Sequence, residues 1–179
     1  MRAPIISGNI RLRSPDLLTV GEGSIIDDFC YFSSRVVVGR YSHIASGCSI
    51  AGGPSVQFTL GDFSSLSSGV KIWCGSDDFK RDLITIIPLD FPPIKENFIA
   101  GDVIMGRLTA VGANSVVMPG NEIPEGSVVG ALSYVPPAFV FEPWSVYAGT
   151  PIRLVSRRDR DSVLRQLDRF EKELELADR

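Results

Sequence analysis

The sequence predicts an all-β fold: a coil of short parallel strands around a triangular interior, interrupted by an extended loop and closed by a C-terminal α-helix. Two observations predict it. Large apolar residues recur every sixth position, at Val20, Ile26, Phe32, Val38, Ile44 and Ile50, then Leu60, Leu66 and Ile72, then Ile99, Met105, Val111, Val117, Ile123 and Val129. The fifth place of each hexad is small, at Ser24, Cys30, Val36, Ser42, Cys48, Ser64, Val70, Ser76, Val103, Thr109, Ser115, Ser127 and Ser133, with Pro54 and Asn121 as exceptions. In a chain that is 44% hydrophobic, chance would rarely produce so regular a beat.

A period of six matches neither a helix nor a two-faced strand. It suits a short strand plus a tight corner, three of which close a triangular turn of about 18 residues. The large side chain then fills the prism and the small one sits inside, beside the corner. The second place is often Gly or Ala (Gly21, Gly39, Ala45, Ala51, Gly61, Gly106, Gly112, Gly130), and glycine there is expected to relieve the corner backbone. Coils stack at ~4.8 Å and pair their backbones from turn to turn. Each buried aliphatic contributes ~1.5–3 kcal/mol, set against ~1–2 kcal/mol of backbone entropy per residue, so several coils are needed.

Two breaks interrupt the beat. AGGPSVQFT, between Ile50 and Leu60, reads as a small bulge or turn. Residues 78–98, DFKRDLITIIPLDFPPIKENF, read as an excursion from the coil, and loops of that length are more often functional than idle. After Val135 comes a Pro-Pro step and a non-repeating arm, FEPWSVYAGTPIRLV. The chain thus divides into a coil domain, 1–155, and a helix, 156–179. In the helix Val163, Leu167, Phe170 and Leu174 form an apolar stripe, expected to pack on the coil or on a neighbouring subunit.

With 179 residues the chain fits one domain. A net charge of −3 gives no footprint for nucleic acid. No apolar run reaches membrane-span length and the N-terminus lacks a signal-peptide core. Three cysteines without zinc spacing point to a reducing cytoplasm. Cys30 and Cys48 fall in small inward places and read as inert; nothing beside Cys74 marks it as a nucleophile. His43 is the one histidine, so a three-histidine zinc site is not available and no metal is expected. His43 is either a base near neutral pH or a plain corner residue.

The beat stops at Asp77 and Asp78 in GSDDF. A carboxylate there is a weak base unless burial raises its pKa; it can also hold an ammonium or hydroxyl, or cap a turn. Lys71, Trp73 and Lys80 flank the pair and are candidates to hold a sugar ring or a nucleotide phosphate, with packing the weightier reading of Trp73.

Several segments resemble the hexapeptide-repeat acyltransferases, in the branch that acylates sugars of polysaccharide, O-antigen and nucleotide-sugar pathways. They are HIASGCSIAGG, GDFSSLSSGV, GSDDF, VGANSVVMPGNEIPEGSVVGALSYV and VYAGTPIRLV. The resemblance covers about residues 18–155. It implies a left-handed parallel β-helix, against the usual right-handed crossover, and a homotrimer with sites between subunits. It also implies acetyl-coenzyme A as donor, laid along Ala113, Ser115, Ala131 and Ser133. Gly149, Thr150 and Arg153 match the family's A-G-x-P-x-[KR] arm, which puts Arg153 near a cofactor phosphate.

Two residues depart from the family pattern. Asp77 falls where many O-acetylating relatives carry a histidine, and Leu108 where relatives often carry another. The first departure favours an amine acceptor, because an amine needs less activation than a hydroxyl. The expected function is therefore acetyl transfer to a sugar, as on the amino group of a nucleotide-linked deoxyamino sugar, with His43 or Asp77 handling the proton. O-acetylation of a glycan hydroxyl and a non-catalytic scaffold are the alternatives.

Overall fold

The structure, a computed structural model, describes residues 2–81 and 98–177. The middle of the predicted excursion, residues 82–97, lies outside the described residues. Parallel strands form three faces, which the chain visits in turn. The eight-stranded face runs from Ile5–Ile6 through Ile25–Ile26, His43–Ile44, Ser65–Leu66, Ala110–Val111 and Val128–Val129 to Ser145–Ala148, and Arg153–Arg157 is added antiparallel at its end. The six-stranded face holds Arg11–Leu12, Tyr31–Phe32, Ser49–Ala51, Lys71–Trp73, Val116–Val117 and Tyr134–Val135. The five-stranded face holds Leu18–Val20, Arg35–Val38, Gln57–Leu60, Val103–Met105 and Glu122–Ile123. We call the corners first (eight- to six-stranded), second (six- to five-stranded) and third (five- back to eight-stranded).

The predicted inward series fills the prism: Ile26, Phe32, Val38, Ile44, Ile50, Leu60, Leu66, Ile72, Met105, Val111, Val117, Ile123 and Val129 are all at most 2% exposed, and Val135 extends the series. Val20, at the thin N-terminal end, is only half buried against this core. Ile99 departs from expectation. It lies in a short antiparallel hairpin opposite Ser76, because the chain re-enters the coil only at Val103. At the Gly-Gly-Pro break, Phe58 sits in register between Val36 and Val103.

The small inward places have a polar purpose as well as a steric one. Ser24 Oγ donates to the Gly39 carbonyl at 2.7 Å and accepts the Ser42 N–H at 2.9 Å. Ser42 repeats the pattern with Gly61 and Ser64, and Ser64 repeats it with Gly106 and Thr109. Each hydroxyl thus satisfies corner groups that the strands leave over. The second-place glycines need revision too: close approach explains them, and corner conformation does not. A Cβ on Gly61 would sit 2.6 Å from backbone atoms of Gly106 and Arg107 in the next coil.

The left-handed corner conformation falls two places after those glycines. At the third corner Tyr41, Phe63, Leu108 and Trp144 adopt it, with φ between 51° and 59°. Such a conformation costs a non-glycine residue ~1–2 kcal/mol. The side chains recover that cost by docking the helix Arg160–Ala177. Tyr41 and Phe63 stack 5.6 Å apart, and both take the edge of Phe170. Arg158 donates to the carbonyls of Leu108 and Gly126. The helix therefore packs on its own coil. Leu108 lies buried at this corner, away from the arm that carries Gly149. Among the described residues no helix is long and apolar enough to cross a membrane.

Gly61→Ala is expected to destabilise the fold by ~2 kcal/mol or more, read as a lower urea midpoint, because the facing Gly106–Arg107 backbone cannot yield. Gly8→Ala, with nothing within 4 Å, is expected to be near neutral.

Candidate active site

The strand Lys71–Trp73 ends at Cys74, and the chain leaves the coil at the second corner. Gly75–Asp77 pairs antiparallel with Phe98–Ala100, so a hairpin stem closes the base of the excursion. Gly75 leaves room for the Phe98 ring, since a Cβ would stand 2.6 Å from its tip. Asp77 sits opposite Phe98, half buried, at the end of the stem.

Asp78 has a different position from the one expected of a substrate ligand. It is 9% exposed, and its carboxylate accepts the Lys80 amide at 3.1 Å and the Arg81 guanidinium at 2.7 Å. The Lys80 amide first, then Arg81, hold its pKa below the usual aspartate value. It caps a turn, one of the roles open to the pair from sequence. Lys80 is exposed beside it, and Trp73 is half buried opposite Ala51. Lys71 extends to the first corner, where its ammonium donates to the Gly47 carbonyl at 2.9 Å.

His43 lies on the eight-stranded face and not with the hairpin at the second corner. Within one chain the structure does not bring it together with Asp77. Its Nε2 stands 2.8 Å from Asp27 Oδ2, and the two side chains are 46% and 43% exposed. Sequence reasoning missed Asp27. The signal was its place one coil earlier, almost a full turn before the only histidine.

The residues expected to line the donor, Ala113, Ala131, Gly149 and Thr150, gather at the first corner in successive coils. Leu132 N–H bonds the Ala113 carbonyl, Tyr134 N–H bonds the Gly149 carbonyl, and Thr150 Oγ1 donates to the Leu132 carbonyl. Ala113, Ala131 and Gly149 make a column with no side chain larger than a methyl, and exposed Arg153 lies beyond it opposite Ala148. Such a wall fits a thin pantetheine arm with a cation at its end. Ser115 and Ser133 do not line it. They are 0% and 3% exposed, and their hydroxyls both donate to the Gly130 carbonyl from inside the prism.

The cysteines are buried: Cys30 donates to the Ala45 carbonyl and Cys48 to the Ser67 carbonyl. Burial pushes the Cys74 thiol up to about 11, so it stays protonated and non-nucleophilic at neutral pH.

Comparison with known proteins finds no matching family model. The dTDP-4-amino-4,6-dideoxy-D-glucose acyltransferase of Escherichia coli is 30% identical over 150 residues, which cover 81% of this chain and 74% of that protein. A putative lipopolysaccharide biosynthesis O-acetyl transferase of Escherichia coli K12 is 28% identical over 150 residues, 82% and 71% of the two chains. The solved N-acyltransferase AntD of Bacillus cereus, in complex with dTDP and 3-hydroxybutyryl-CoA, superimposes with a TM-score of 0.84 at 30% identity, covering 96% of this chain and 88% of that one. Other solved forms of AntD substitute a serine and an aspartate ten residues further on. One of them holds dTDP-4-amino-4,6-dideoxyglucose and coenzyme A. With these matches the coil is the left-handed parallel β-helix expected above.

Because the Asp78 carboxyl titrates below the usual 3.8, its stabilising effect is present above that pH and is lost as pH falls through its lower folded value. Asp78→Ala is expected to speed amide exchange at Lys80 about tenfold at neutral pH, with little change in the global unfolding midpoint. An unchanged Lys80 amide would remove Asp78 from the turn.

Proposed function

Because this chain belongs to the hexapeptide-repeat acyltransferases that act on sugars, we propose that it transfers an acetyl group from acetyl-coenzyme A to the amino group of a nucleotide-linked deoxyamino sugar. One observation carries the choice of an amine. Asp77 stands on a closed hairpin stem ten residues after Ser67, the separation of the two substituted positions in AntD. No histidine replaces it there.

In this reading the donor lies along Ala113, Ala131, Gly149 and Thr150, with Arg153 near a phosphate. Coenzyme A supplies an activated thioester. The amine lone pair attacks the carbonyl carbon, the carbon–sulfur bond breaks, and the thiolate leaves. The Asp77 carboxylate accepts the proton that the nitrogen sheds and passes it to solvent or to the departing sulfur. No covalent enzyme intermediate is needed. Trp73 and Lys80 flank the acceptor at the stem.

The donor column is at the first corner and the stem is at the second, so one chain does not complete the site. We infer a homotrimer in which the stem of one copy meets the donor corner of the next, working in a cytoplasm that keeps three thiols reduced. A second reading, transfer to a glycan hydroxyl, is favoured by the Asp27–His43 pair, which has the form of a positioned base.

The test follows thiol release from acetyl-coenzyme A across nucleotide amino sugars and neutral glycans. Release is expected with an amino sugar, and Asp77→Asn is expected to lower kcat/KM by ~10²-fold or more with coenzyme A affinity unchanged. Release only with neutral glycans would replace N-transfer by O-transfer. Wild-type turnover in Asp77→Asn would remove that residue from the chemistry.

A further inference from the structure

The first corner changes chemistry halfway along. From Ala113 onward its outward column is Ala113, Ala131 and Gly149. In the preceding coils the same column is Asp28, Ser46 and Ser68. The succession is fixed by backbone bonds: Gly47 N–H to the Asp28 carbonyl, Gly69 N–H to Ser46, Asn114 N–H to Ser68 and Leu132 N–H to Ala113. The Ser46 and Ser68 hydroxyls are 3.4 Å apart. Lys71 reaches the corner from the six-stranded side and spends one of its three N–H groups on the Gly47 carbonyl. His43 approaches it from the eight-stranded side.

The Asp27 contact decides what His43 offers. A carboxylate 2.8 Å from Nε2 takes a hydrogen bond from that nitrogen. The proton of the neutral ring is then on Nε2, and Nδ1 is left as an acceptor. Among the described residues Nδ1 has no hydrogen-bond partner. The stretch therefore combines a cation, two hydroxyls and one oriented acceptor, whereas the same column further along holds only Ala113, Ala131 and Gly149, beside Asn114, Leu132 and Thr150. Asp28, engaged by Ser7 and Asn9, ends the stretch with a negative charge.

We propose that this polar half of the first corner is the acceptor subsite and that it takes a nucleoside diphosphate. The Lys71 ammonium and the Ser46 and Ser68 hydroxyls meet the phosphates. His43 Nδ1 accepts from a hydroxyl or ring N–H of the same ligand. Asp27 is a positioning residue that holds the tautomer. Donor and acceptor then lie end to end on one corner and meet near Ser68 and Ala113, where a neighbour's stem supplies Asp77. The proposal rests on the acyltransferase reading and extends it to a named phosphate-binding stretch.

Calorimetry with thymidine diphosphate and, separately, with coenzyme A tests it on the full chain. Wild type should bind both. Lys71→Met and Ser68→Ala should weaken the diphosphate, the first by at least tenfold, and leave coenzyme A and the thermal midpoint unchanged. Asp27→Leu should weaken the diphosphate several-fold and raise KM for the amino-sugar acceptor with kcat nearly constant. Asp27→Asn should retain most of the affinity, since an amide oxygen still accepts from Nε2. Wild-type diphosphate affinity in both Lys71→Met and Asp27→Leu would overturn the proposal. Equal loss in Asp27→Asn and Asp27→Leu would overturn the tautomer role. Coenzyme A binding without diphosphate binding would sink this inference alone, whereas binding of neither would sink the acyltransferase reading itself.

Discussion

The spacing between coils is the constraint on which everything else depends. It is set by backbone bonds that run from turn to turn, such as Ile25 N–H to the Ser42 carbonyl, His43 N–H to Ser64 and Ser65 N–H to Thr109, each 2.9–3.0 Å. Since every coil repeats the same path, any side chain has its counterpart one strand spacing above and below. An inward place must hold a group that packs against its own kind, and aliphatic side chains do this well. At the third corner one hydroxyl serves two coils at once, as Ser24 does for Gly39 and Ser42. Where the path brings backbone against backbone, even a methyl is too large, and Gly61 marks such a place.

The three corners divide the labour. The third anchors the helix through aromatic residues in the left-handed conformation. Charges also pair there across coils, Arg40 with Asp62 and Arg107 with Glu125, each at 3.1 Å. Exposed pairs of this kind contribute ~0–1 kcal/mol and join coil to coil, while the helix meets the coil through Phe170 against Tyr41 and Phe63. The second corner releases the hairpin stem with Asp77. The first is polar in the early coils and has small residues in the Ala113–Ala131–Gly149 column of the late ones, beside Asn114 and Leu132. At the third corner the left-handed Tyr41 and Phe63 meet the helix through Phe170, whereas at the first corner the left-handed Phe29 and Leu132 stay exposed, Leu132 beside the Ala113–Ala131–Gly149 column.

Much of this was legible in the sequence, because a period of six has few physical solutions. The inward series from Ile26 to Ile72, and again from Met105 to Val129, was readable residue by residue. Ile99 misled because an apolar residue in a hairpin can keep time with the beat by coincidence; only the antiparallel register shows that it is outside the prism. Glycine was legible as a corner residue, but its reason was not, since close approach depends on the neighbouring coil. Ser115 and Ser133 show the same limit. A small residue in a hexad looks alike whether it smooths an outer wall or completes an inner bond. Asp78 and Asp77 are adjacent in sequence, yet Asp78 is turned inward to bind Lys80 and Arg81 and Asp77 stands on the paired stem.

A triangular prism is convex, and this bears on where chemistry can occur. A ligand laid on a convex corner touches protein on one side only and keeps water on the other. Electrostatic help for a developing charge is weak in that setting, because nearby solvent screens it. Some second surface has to close over the corner. The candidate pieces lie at separate corners: the Ala113–Ala131–Gly149 column at the first and the Asp77 carboxylate on a paired stem at the second. Within one copy the column and the base of the stem stand at different corners of the same stack. A neighbouring copy placed alongside can bring a stem to a wall without deforming either. The rigidity that makes the coil easy to read from its repeats also keeps the small-residue column and the Asp77 stem at separate corners of one copy.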